Sequence, residues 1–104
     1  MTSESIANAD MAAAWDGAEG ENWARDWQHY DLSIRRYHLR LLSAADIAGG
    51  ENVLDVGCGN GELTRDAGRA LATGAVLGVD LSARMLERAR ELAHAEGVSN
   101  VAFE

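Results

Sequence analysis

The feature that most constrains this chain is a glycine-rich turn that follows a short apolar run. Residues 52–56 read Asn-Val-Leu-Asp-Val, and Gly57, Gly59 and Gly61 follow at alternating positions. Helical spacing of apolar side chains then returns over residues 62–72. A strand that runs through a glycine turn into a helix brings backbone N–H groups and a helix N-terminus against a ligand. The sequence therefore predicts a ligand site at this turn.

A second strand and helix follow the first pair. Residues 75–79 form an apolar run that ends at Asp80, and Ser82 is a suitable N-cap for a helix over 83–96. Gly97 ends that helix, and residues 98–103 begin a third strand. Strands that alternate with helices of this length are typical of parallel sheets. We predict an α/β fold with a Rossmann-like doubly wound parallel sheet, truncated after the start of the third strand.

The N-terminal part of the chain divides into two segments. Residues 1–30 are acidic and alanine-rich, and Gly17 and Gly20 are expected to break any continuous helix. This segment carries four large aromatic side chains: Trp15, Trp23, Trp27 and Tyr30. From residue 31, a helix is predicted over 31–48, ended by Gly49 and Gly50. Its predicted apolar face consists of Ile34, Tyr37, Leu41, Ala45 and Ala48.

The spacing and charge of the turn discriminate between ligands. A dinucleotide fingerprint needs G-x-G-x-x-G, but the sixth position is Glu62 when the count starts at Gly57, and Thr64 when it starts at Gly59. Asp55 and Glu62 flank the turn, and two carboxylates would repel a pyrophosphate. They suit a positively charged ligand instead. S-adenosylmethionine carries an ammonium and a sulfonium group, so it fits where a nicotinamide dinucleotide does not.

Two stretches of the chain resemble motifs of the class I S-adenosylmethionine-dependent methyltransferases. Residues 53–61, Val-Leu-Asp-Val-Gly-Cys-Gly-Asn-Gly, are similar to the first motif in every defining position. Residues 78–82, Gly-Val-Asp-Leu-Ser, followed by Met85 and Leu86, are similar to the second-strand motif and the helix after it. The resemblance is strong over residues 50–97.

The resemblance implies which residues bind the cofactor. Gly57 and its neighbours would hold the methionine part of S-adenosyl-L-methionine, with Asp55 near its ammonium group. Asp80 would accept hydrogen bonds from both ribose hydroxyls, and Leu81 and Met85 would flank the adenine. The implied cofactor-binding residues are Asp55, Gly57, Cys58, Gly59, Gly61, Asp80, Leu81 and Met85. Because Asp80 ends a strand beside a cleft, its replacement is expected to cost the fold little stability.

The resemblance also implies a function and leaves alternatives. It implies the cofactor-binding half of a methyltransferase domain over residues 31–104, transferring a methyl group to an unidentified small molecule. The family usually has a seven-stranded sheet, so this chain alone is expected to be inactive, and its catalytic residues are unknown. Residues 1–30 would be either a lid over the cofactor, with Tyr30 in contact, or simple packing. The alternatives are half of a nicotinamide-dependent oxidoreductase, or a non-enzymatic remnant or interaction module that keeps the fold.

Charge and composition exclude several partners. The chain has 9 basic and 17 acidic residues, which gives a net charge of −8. It therefore lacks the positively charged surface that binding to nucleic acids or to anionic membranes requires. No run approaches the roughly 18 apolar residues of a membrane span. The N-terminus lacks the features of a secretory signal, which predicts a cytoplasmic location.

The reactive side chains predict no further chemistry. Cys58 is the only cysteine, and we interpret it as a small residue that fills the turn rather than as a nucleophile. Every basic residue is arginine, so a lysine Schiff base is excluded. His29, His38 and His94 lack metal-ligand spacing; we interpret them as structural or surface residues and expect no metal site.

Overall fold

The fold is a small parallel sheet with helices packed against it. A computed structural model describes residues 7–104. The strands are β1 (Asn52–Val56), β2 (Ala75–Val79) and β3 (Val101–Phe103), all parallel in the order β1-β2-β3. Asp55 lies opposite Gly78, and Gly78 lies opposite Phe103. This register brings the carboxyl ends of β1 and β2 to the same edge of the sheet. The predicted α/β class, with a parallel sheet of three strands in the described chain, is confirmed.

Five helices complete the described chain. They are α1 (Ala9–Trp15), α2 (Ala18–Arg25), α3 (Trp27–Ala45), α4 (Glu62–Ala70) and α5 (Ala83–Ala95). Helix α4 connects β1 to β2, and α5 connects β2 to β3. Helix α2 packs on α5, and α3 packs on α4. Within residues 7–104, none of the helices combines the length and apolar character that a transmembrane segment requires.

Helices α4 and α5 cover the same face of the sheet. Val76 and Phe103 point to this face and are buried, Val76 against Ala67 of α4 and Phe103 against Leu86 of α5. Both crossovers run in the same direction along the sheet, so right-handed connections place both helices on one side. The opposite face leaves Leu54 61% exposed. The core is therefore one-sided.

Helix α5 begins and buries its apolar stripe as the sequence predicts. Ser82 is the N-cap, and its Oγ atom accepts a hydrogen bond of 3.2 Å from the backbone N–H of Met85. The five stripe residues are all buried: Met85, Leu86, Ala89, Leu92 and Ala93. Local capping and apolar periodicity agree here with the tertiary packing, so the sequence-based prediction is confirmed.

Helix α3 differs from its prediction in both its start and its buried face. It begins at Trp27 rather than at residue 31 and ends at Ala45. Tyr37 and Leu41, predicted to be on the buried face, are 74% and 53% exposed. The helix instead turns Asp31 and His38 inward, because its neighbour α4 presents charged side chains that pair with α3.

The buried face of α4 is largely polar. Glu62, Thr64 and Arg65 are buried together with Ala67. The Arg65 guanidinium donates hydrogen bonds of 2.7 Å to the carbonyl oxygen of Asn60 and 3.2 Å to Glu96. A buried charge with such partners avoids most of the desolvation cost of an unpaired one. Helix α4 therefore joins the turn, α3 and α5 through polar contacts.

The two N-terminal glycines act differently. Gly17 separates α1 from α2, as predicted. Gly20 lies inside α2, so the predicted break at this residue is wrong. A Cβ atom at Gly20 would lie 2.3 Å from the Ser82 Oγ atom, so the missing side chain allows α2 to approach the start of α5 closely. Residues 1–6 of the predicted N-terminal segment lie outside the described residues.

Candidate functional site

A cavity of about 720 Å³ lies between the glycine turn and the N-terminal helices. Seven of the eight residues implied as cofactor-binding line it: Gly57, Cys58, Gly59, Gly61, Asp80, Leu81 and Met85. Its volume is in the range typical of small-molecule and cofactor sites. The two carboxyl strand ends, the turn between β1 and α4 and the start of α5 form its floor. This position is where open α/β sheets bind ligands.

The turn owes its shape to glycine and to the neighbouring strand. Gly57, Gly59 and Gly61 have φ angles of 73°, 56° and 81°, which other residues rarely adopt. The N–H groups of Gly57 and Cys58 both donate to the carbonyl oxygen of Val79, at 2.8 and 2.9 Å. A Cβ atom at Gly57 would meet no atom of the described residues within 4 Å, so this backbone is open to the cavity. At Gly59, a Cβ atom would lie 2.8 Å from the Met85 side chain.

Asp80 joins the turn to the start of α5. Its Oδ2 atom accepts a 2.9 Å hydrogen bond from the N–H of Gly59, and its Oδ1 atom accepts one of 2.9 Å from the N–H of Ser82. A carboxylate has about four lone-pair sites, so each oxygen keeps capacity for a further donor. Asp80 therefore holds the turn in place and still presents acceptors to the cavity.

Asp55 lies apart from the cavity wall. Its Oδ2 atom accepts a 2.6 Å hydrogen bond from the hydroxyl of Thr64 on α4. Burial raises the pKa of this carboxyl group above its ordinary value, and the bond from Thr64 opposes that rise only in part. Asp55 is the one implied cofactor-binding residue that does not line the cavity. Its hydrogen bond fastens α4 to the end of β1.

Cys58 lines the cavity as a protonated thiol. Burial, followed by the nearby carboxylates of Asp55 and Asp80, raises the pKa of Cys58 to about 12. Because the thiolate is the reactive form of cysteine, a thiol with this pKa is a poor nucleophile near neutral pH. The Cys58 side chain packs against the core cluster of α5 and β3, consistent with a residue that fills the turn.

Helices α1 and α2 supply an aromatic wall opposite the turn. Trp15 and Trp23 line the cavity, with ring centroids 5.9 Å apart and planes at 68°. The Tyr30 ring stacks on that of Trp23 with a centroid distance of 3.7 Å, but Tyr30 does not line the cavity. Trp27 does not line the cavity either. Trp15 and Trp23, rather than Trp27 or Tyr30, therefore face the site.

Hydrogen bonds attach the α1–α2 segment to the rest of the domain. The side chain of Asn60, in the turn, donates to the carbonyl oxygen of Trp23 at 2.9 Å. The Asp16 carboxylate accepts a 2.9 Å bond from the N–H of Ala83 at the start of α5. Arg88 donates to the carbonyl oxygen of Ala24 at 3.1 Å. The segment is thus fixed to both elements that form the cavity floor.

Two ionisable residues in the cavity wall, Asp31 and His38, were absent from the sequence-based site, and a third, Glu62, was noted there only as a charge that flanks the turn. Burial, then the charge of Glu62, raises the pKa of Asp31 to about 6, although Arg65 opposes the rise. His38, interpreted from sequence as structural or surface, has its Nδ1 atom 3.9 Å from Glu62 Oε2. The seven-residue spacing of Asp31 and His38, two helical turns, is the signal that could have placed both on one face.

The cavity wall is acidic. Three carboxylates line it, from Asp31, Glu62 and Asp80, and none of the lining residues within 7–104 is an arginine or a lysine. Such a wall favours a ligand that carries positive charge. The described residues contain no group of three or more histidine, cysteine, aspartate or glutamate side chains placed to hold a metal ion.

Comparison with known proteins identifies similar sequences and folds. A family model described as a methyltransferase domain matches residues 47–104, more than half of the chain. A demethylmenaquinone methyltransferase from Tropheryma whipplei is 52% identical over 60 residues, which cover 58% of this chain and 23% of that protein. The aklanonic acid methyltransferase DauC of a Streptomyces species is 36% identical over 65 residues, covering 62% of this chain and 30% of that protein.

A solved structure agrees with the sequence matches. A S-adenosylmethionine-dependent methyltransferase from Geobacter sulfurreducens, in complex with S-adenosyl-L-homocysteine, superimposes with a TM-score of 0.56 at 29% identity. The match covers 64% of this chain and 27% of that chain. The parallel sheet is thus part of a Rossmann-like methyltransferase fold. The chain spans less than a third of the length of each of these three proteins.

Proposed function

Because this chain belongs to the class I S-adenosylmethionine-dependent methyltransferase family, we propose that it holds S-adenosylmethionine over the glycine turn. In this proposal it is the cofactor-binding part of an enzyme that methylates a small molecule. Since the chain spans only part of its relatives, the methyl transfer itself belongs to the proposal. Catalytic residues for the acceptor are not assigned.

The observation that carries the proposal is the open backbone of the turn beside Asp80. The cavity next to Gly57 has room for a ligand in direct contact with the main chain, which a side chain at this position would fill. Asp80 has free acceptor capacity for two ribose hydroxyls. Leu81 and Met85 offer apolar surface for an adenine ring beside it. These residues fit an adenosine cofactor that lies along the floor.

The charge of the wall favours this cofactor over a nicotinamide dinucleotide. When bound, S-adenosylmethionine supplies a methyl group made electrophilic by the sulfonium charge. The carboxylates of Asp31, Glu62 and Asp80 suit its positive groups, whereas a pyrophosphate would be repelled. Burial keeps Cys58 protonated, so the cavity holds no competing thiolate. The oxidoreductase alternative therefore has neither the motif nor the charge that it needs.

We propose that α1 and α2 act as a lid. Trp15 and Trp23 would cover the bound cofactor and exclude water from the sulfonium centre, which is how closed sites protect reactive groups. The contacts of Asp16 with Ala83 and of Asn60 with Trp23 would hold the lid closed. Tyr30 would support Trp23 from behind rather than contact the cofactor.

A small-molecule acceptor is the second part of the proposal. The acidic wall and the net charge of −8 disfavour a nucleic acid, whose phosphates need basic partners. The names of two relatives refer to demethylmenaquinone and to aklanonic acid. The small-molecule class of the acceptor and the cytoplasmic location stay predictions.

Calorimetry with the 104-residue chain tests the cofactor assignment. S-adenosylmethionine and S-adenosylhomocysteine should each bind at one site, while NAD should give no heat of binding under the same conditions. Circular dichroism of the same sample establishes that the chain is folded. Binding of NAD with an affinity comparable to that of S-adenosylhomocysteine, or binding of neither cofactor by a folded chain, would contradict the proposal.

A further inference from the structure

Three residues that line the cavity carry a buried polar atom without a hydrogen-bond partner among residues 7–104. The atoms are Glu62 Oε2, Asn60 Oδ1 and His38 Nδ1, and the first two are acceptors. The side chain of Glu62 is only 8% exposed, and Asn60 is 4% exposed. A buried polar atom without a partner costs free energy, so native structures rarely retain one without a reason. A ligand that donates hydrogen bonds would satisfy both acceptors.

The geometry around Glu62 leaves one oxygen for a ligand. Arg35 donates a 2.7 Å hydrogen bond to Oε1 and thereby fixes the carboxylate. Oε2 faces the His38 Nδ1 atom at 3.9 Å, which is beyond hydrogen-bond distance. Arg35 itself does not line the cavity. Oε2 therefore belongs to a carboxylate whose orientation Arg35 fixes, and it has no hydrogen-bond partner within the described chain.

Asn60 provides the second acceptor on the same side of the turn. Its Nδ2 atom donates to the carbonyl oxygen of Trp23 at 2.9 Å, which fixes the amide orientation and leaves Oδ1 as an acceptor. Asn60 and Glu62 flank Gly61, and Glu62 is the first residue of α4. Both acceptors therefore belong to one short segment at the junction of the turn and α4.

The carboxylate that the family resemblance assigns to an ammonium group is engaged elsewhere. Asp55 accepts a hydrogen bond from Thr64 and does not line the cavity. Glu62 lies in the wall with a free oxygen, so it is better placed for that role. An ammonium group is a pure donor with positive charge, which matches an anionic acceptor and a neutral one together.

We infer that Glu62, assisted by Asn60, binds the ammonium group of a ligand in this cavity. The inference rests on the proposed function. Two sources carry this chemistry: the α-ammonium of the cofactor's amino-acid end, and the ammonium of an amine acceptor. In either case Arg35 acts as a positioning residue, because it holds the Glu62 carboxylate without reaching the cavity.

The first arm of the test compares two ligands on the wild-type chain and on Glu62→Gln. The ligands are S-adenosylhomocysteine and its deamino analogue, which lacks only the amine. Glu62→Gln keeps the shape of the side chain and removes its charge. If the cofactor is the source, the substitution should lower the affinity for S-adenosylhomocysteine by at least about tenfold, because a charge-assisted hydrogen bond is lost. The affinity for the deamino analogue should stay within about twofold of the wild-type value.

Asp66→Asn is the matched control. Asp66 lies one helical turn after Glu62 on α4, its Oδ2 atom is 3.8 Å from the Arg35 guanidinium, and it does not line the cavity. Its replacement removes a carboxylate from the same helix and from the same arginine. In Asp66→Asn, the ratio of the affinities for S-adenosylhomocysteine and for its deamino analogue should therefore equal the wild-type ratio.

The second arm tests an amine acceptor as the source. Tryptophan fluorescence would follow benzylammonium binding to the chain saturated with S-adenosylhomocysteine. If the acceptor is the source, Glu62→Gln should lower the affinity for benzylammonium by at least about tenfold. The affinities for S-adenosylhomocysteine and for its deamino analogue should then be unchanged. Equal weakening of both analogues, or no change in any arm, would overturn the inference. A wild-type chain that binds no S-adenosylhomocysteine would instead overturn the proposed function.

Discussion

At the residue scale, Gly57 allows ligand binding to be separated from backbone strain. Gly57 and Gly97 have φ angles of 73° and 70°, and a Cβ atom on either would meet no described atom within 4 Å. Gly57→Ala and Gly97→Ala should each lower the free energy of unfolding by about 1 kcal/mol, because alanine is strained at positive φ. Only Gly57→Ala should lower the affinity for S-adenosylhomocysteine, by at least about tenfold. Urea unfolding and calorimetry measure the two effects, and wild-type affinity in Gly57→Ala would show that the turn is purely structural.

Asp80 has a larger structural role than its position at a strand end indicates. The sequence-based expectation of little stability loss is revised, because Asp80→Ala leaves the N–H groups of Gly59 and Ser82 without their acceptor. We expect Asp80→Ala to lower the free energy of unfolding by about 1–3 kcal/mol, and Asp80→Asn to lower it less. Thermal unfolding of the ligand-free variants measures this. A melting curve for Asp80→Ala that matches the wild type would refute it.

The ribose role of Asp80 needs a different comparison. S-adenosylhomocysteine should bind the wild type at least about tenfold more tightly than its analogue without the two ribose hydroxyls. In Asp80→Ala this ratio should fall towards one. Because both ligands experience the same altered turn, the ratio isolates the hydroxyl contacts. Calorimetry gives both affinities, and an unchanged ratio would assign Asp80 to the fold alone.

At the scale of elements, the contact between α3 and α4 is predicted to depend on pH. Burial and Glu62 raise the pKa of Asp31 from 3.8 to about 6, against the influence of Arg65, with a smaller contribution from Glu96. The folded state therefore binds this proton more tightly than the unfolded state. The resulting stabilisation is complete below about pH 3.8 and is lost as the pH rises through about 6.

Asp31→Asn tests this dependence. The substitution mimics the protonated carboxyl group, whose side chain is only 14% exposed. It should raise the free energy of unfolding at pH 7 by up to about 3 kcal/mol and change it little at pH 4. Urea unfolding of both proteins at the two pH values gives the difference. A variant that is less stable than the wild type at pH 7 would mean that the ion pair with Arg65 dominates.

The lid proposal predicts which tryptophans report on the ligand. Trp15 and Trp23 line the cavity, whereas Trp27 does not. Addition of S-adenosylhomocysteine should change the fluorescence of the wild type, and Trp27→Phe should retain this change in full. Trp15→Phe should lose a large part of it. Titrations of emission intensity measure the effect, and loss of the signal in Trp27→Phe alone would place the ligand away from the lid.

The elements also show what the sequence could predict. Helix α5, β1 and β2 follow from caps, glycine stops and apolar periodicity, because each buried residue there is apolar. The third strand was predicted to begin at residue 98, but β3 begins at Val101. The buried faces of α3 and α4 are set by charged pairs such as Arg35 with Glu62 and Arg65 with Asp31. Apolar periodicity contains no information on such pairs. The floor of the site was therefore predictable, while Asp31, His38 and the orientation of Glu62 depended on the tertiary structure.

At the scale of the whole molecule, residues 7–104 cover the sheet on one face only. On the other face, Leu54 and Val56 of β1 are 61% and 75% exposed. Exposed apolar side chains on an edge strand favour association. We expect the chain to associate at high concentration, and Leu54→Lys to reduce the association. Sedimentation equilibrium over a range of concentrations measures it. Glu104→Lys, which adds the same side chain at an exposed position outside the strands, is the control.

The hydrogen bonds between the turn and β2 have a consequence for the order of folding. Gly57 and Cys58 donate to Val79, and Gly59 donates to Asp80, so each bond spans about twenty residues of chain. Closing a loop of this length costs more chain entropy than forming a local contact does. We therefore expect these hydrogen bonds to form late in folding. During synthesis on the ribosome, the glycine motif emerges before the strand that gives it its shape. We therefore expect the proposed ligand binding to require a docked second strand and to be lost with that strand on unfolding.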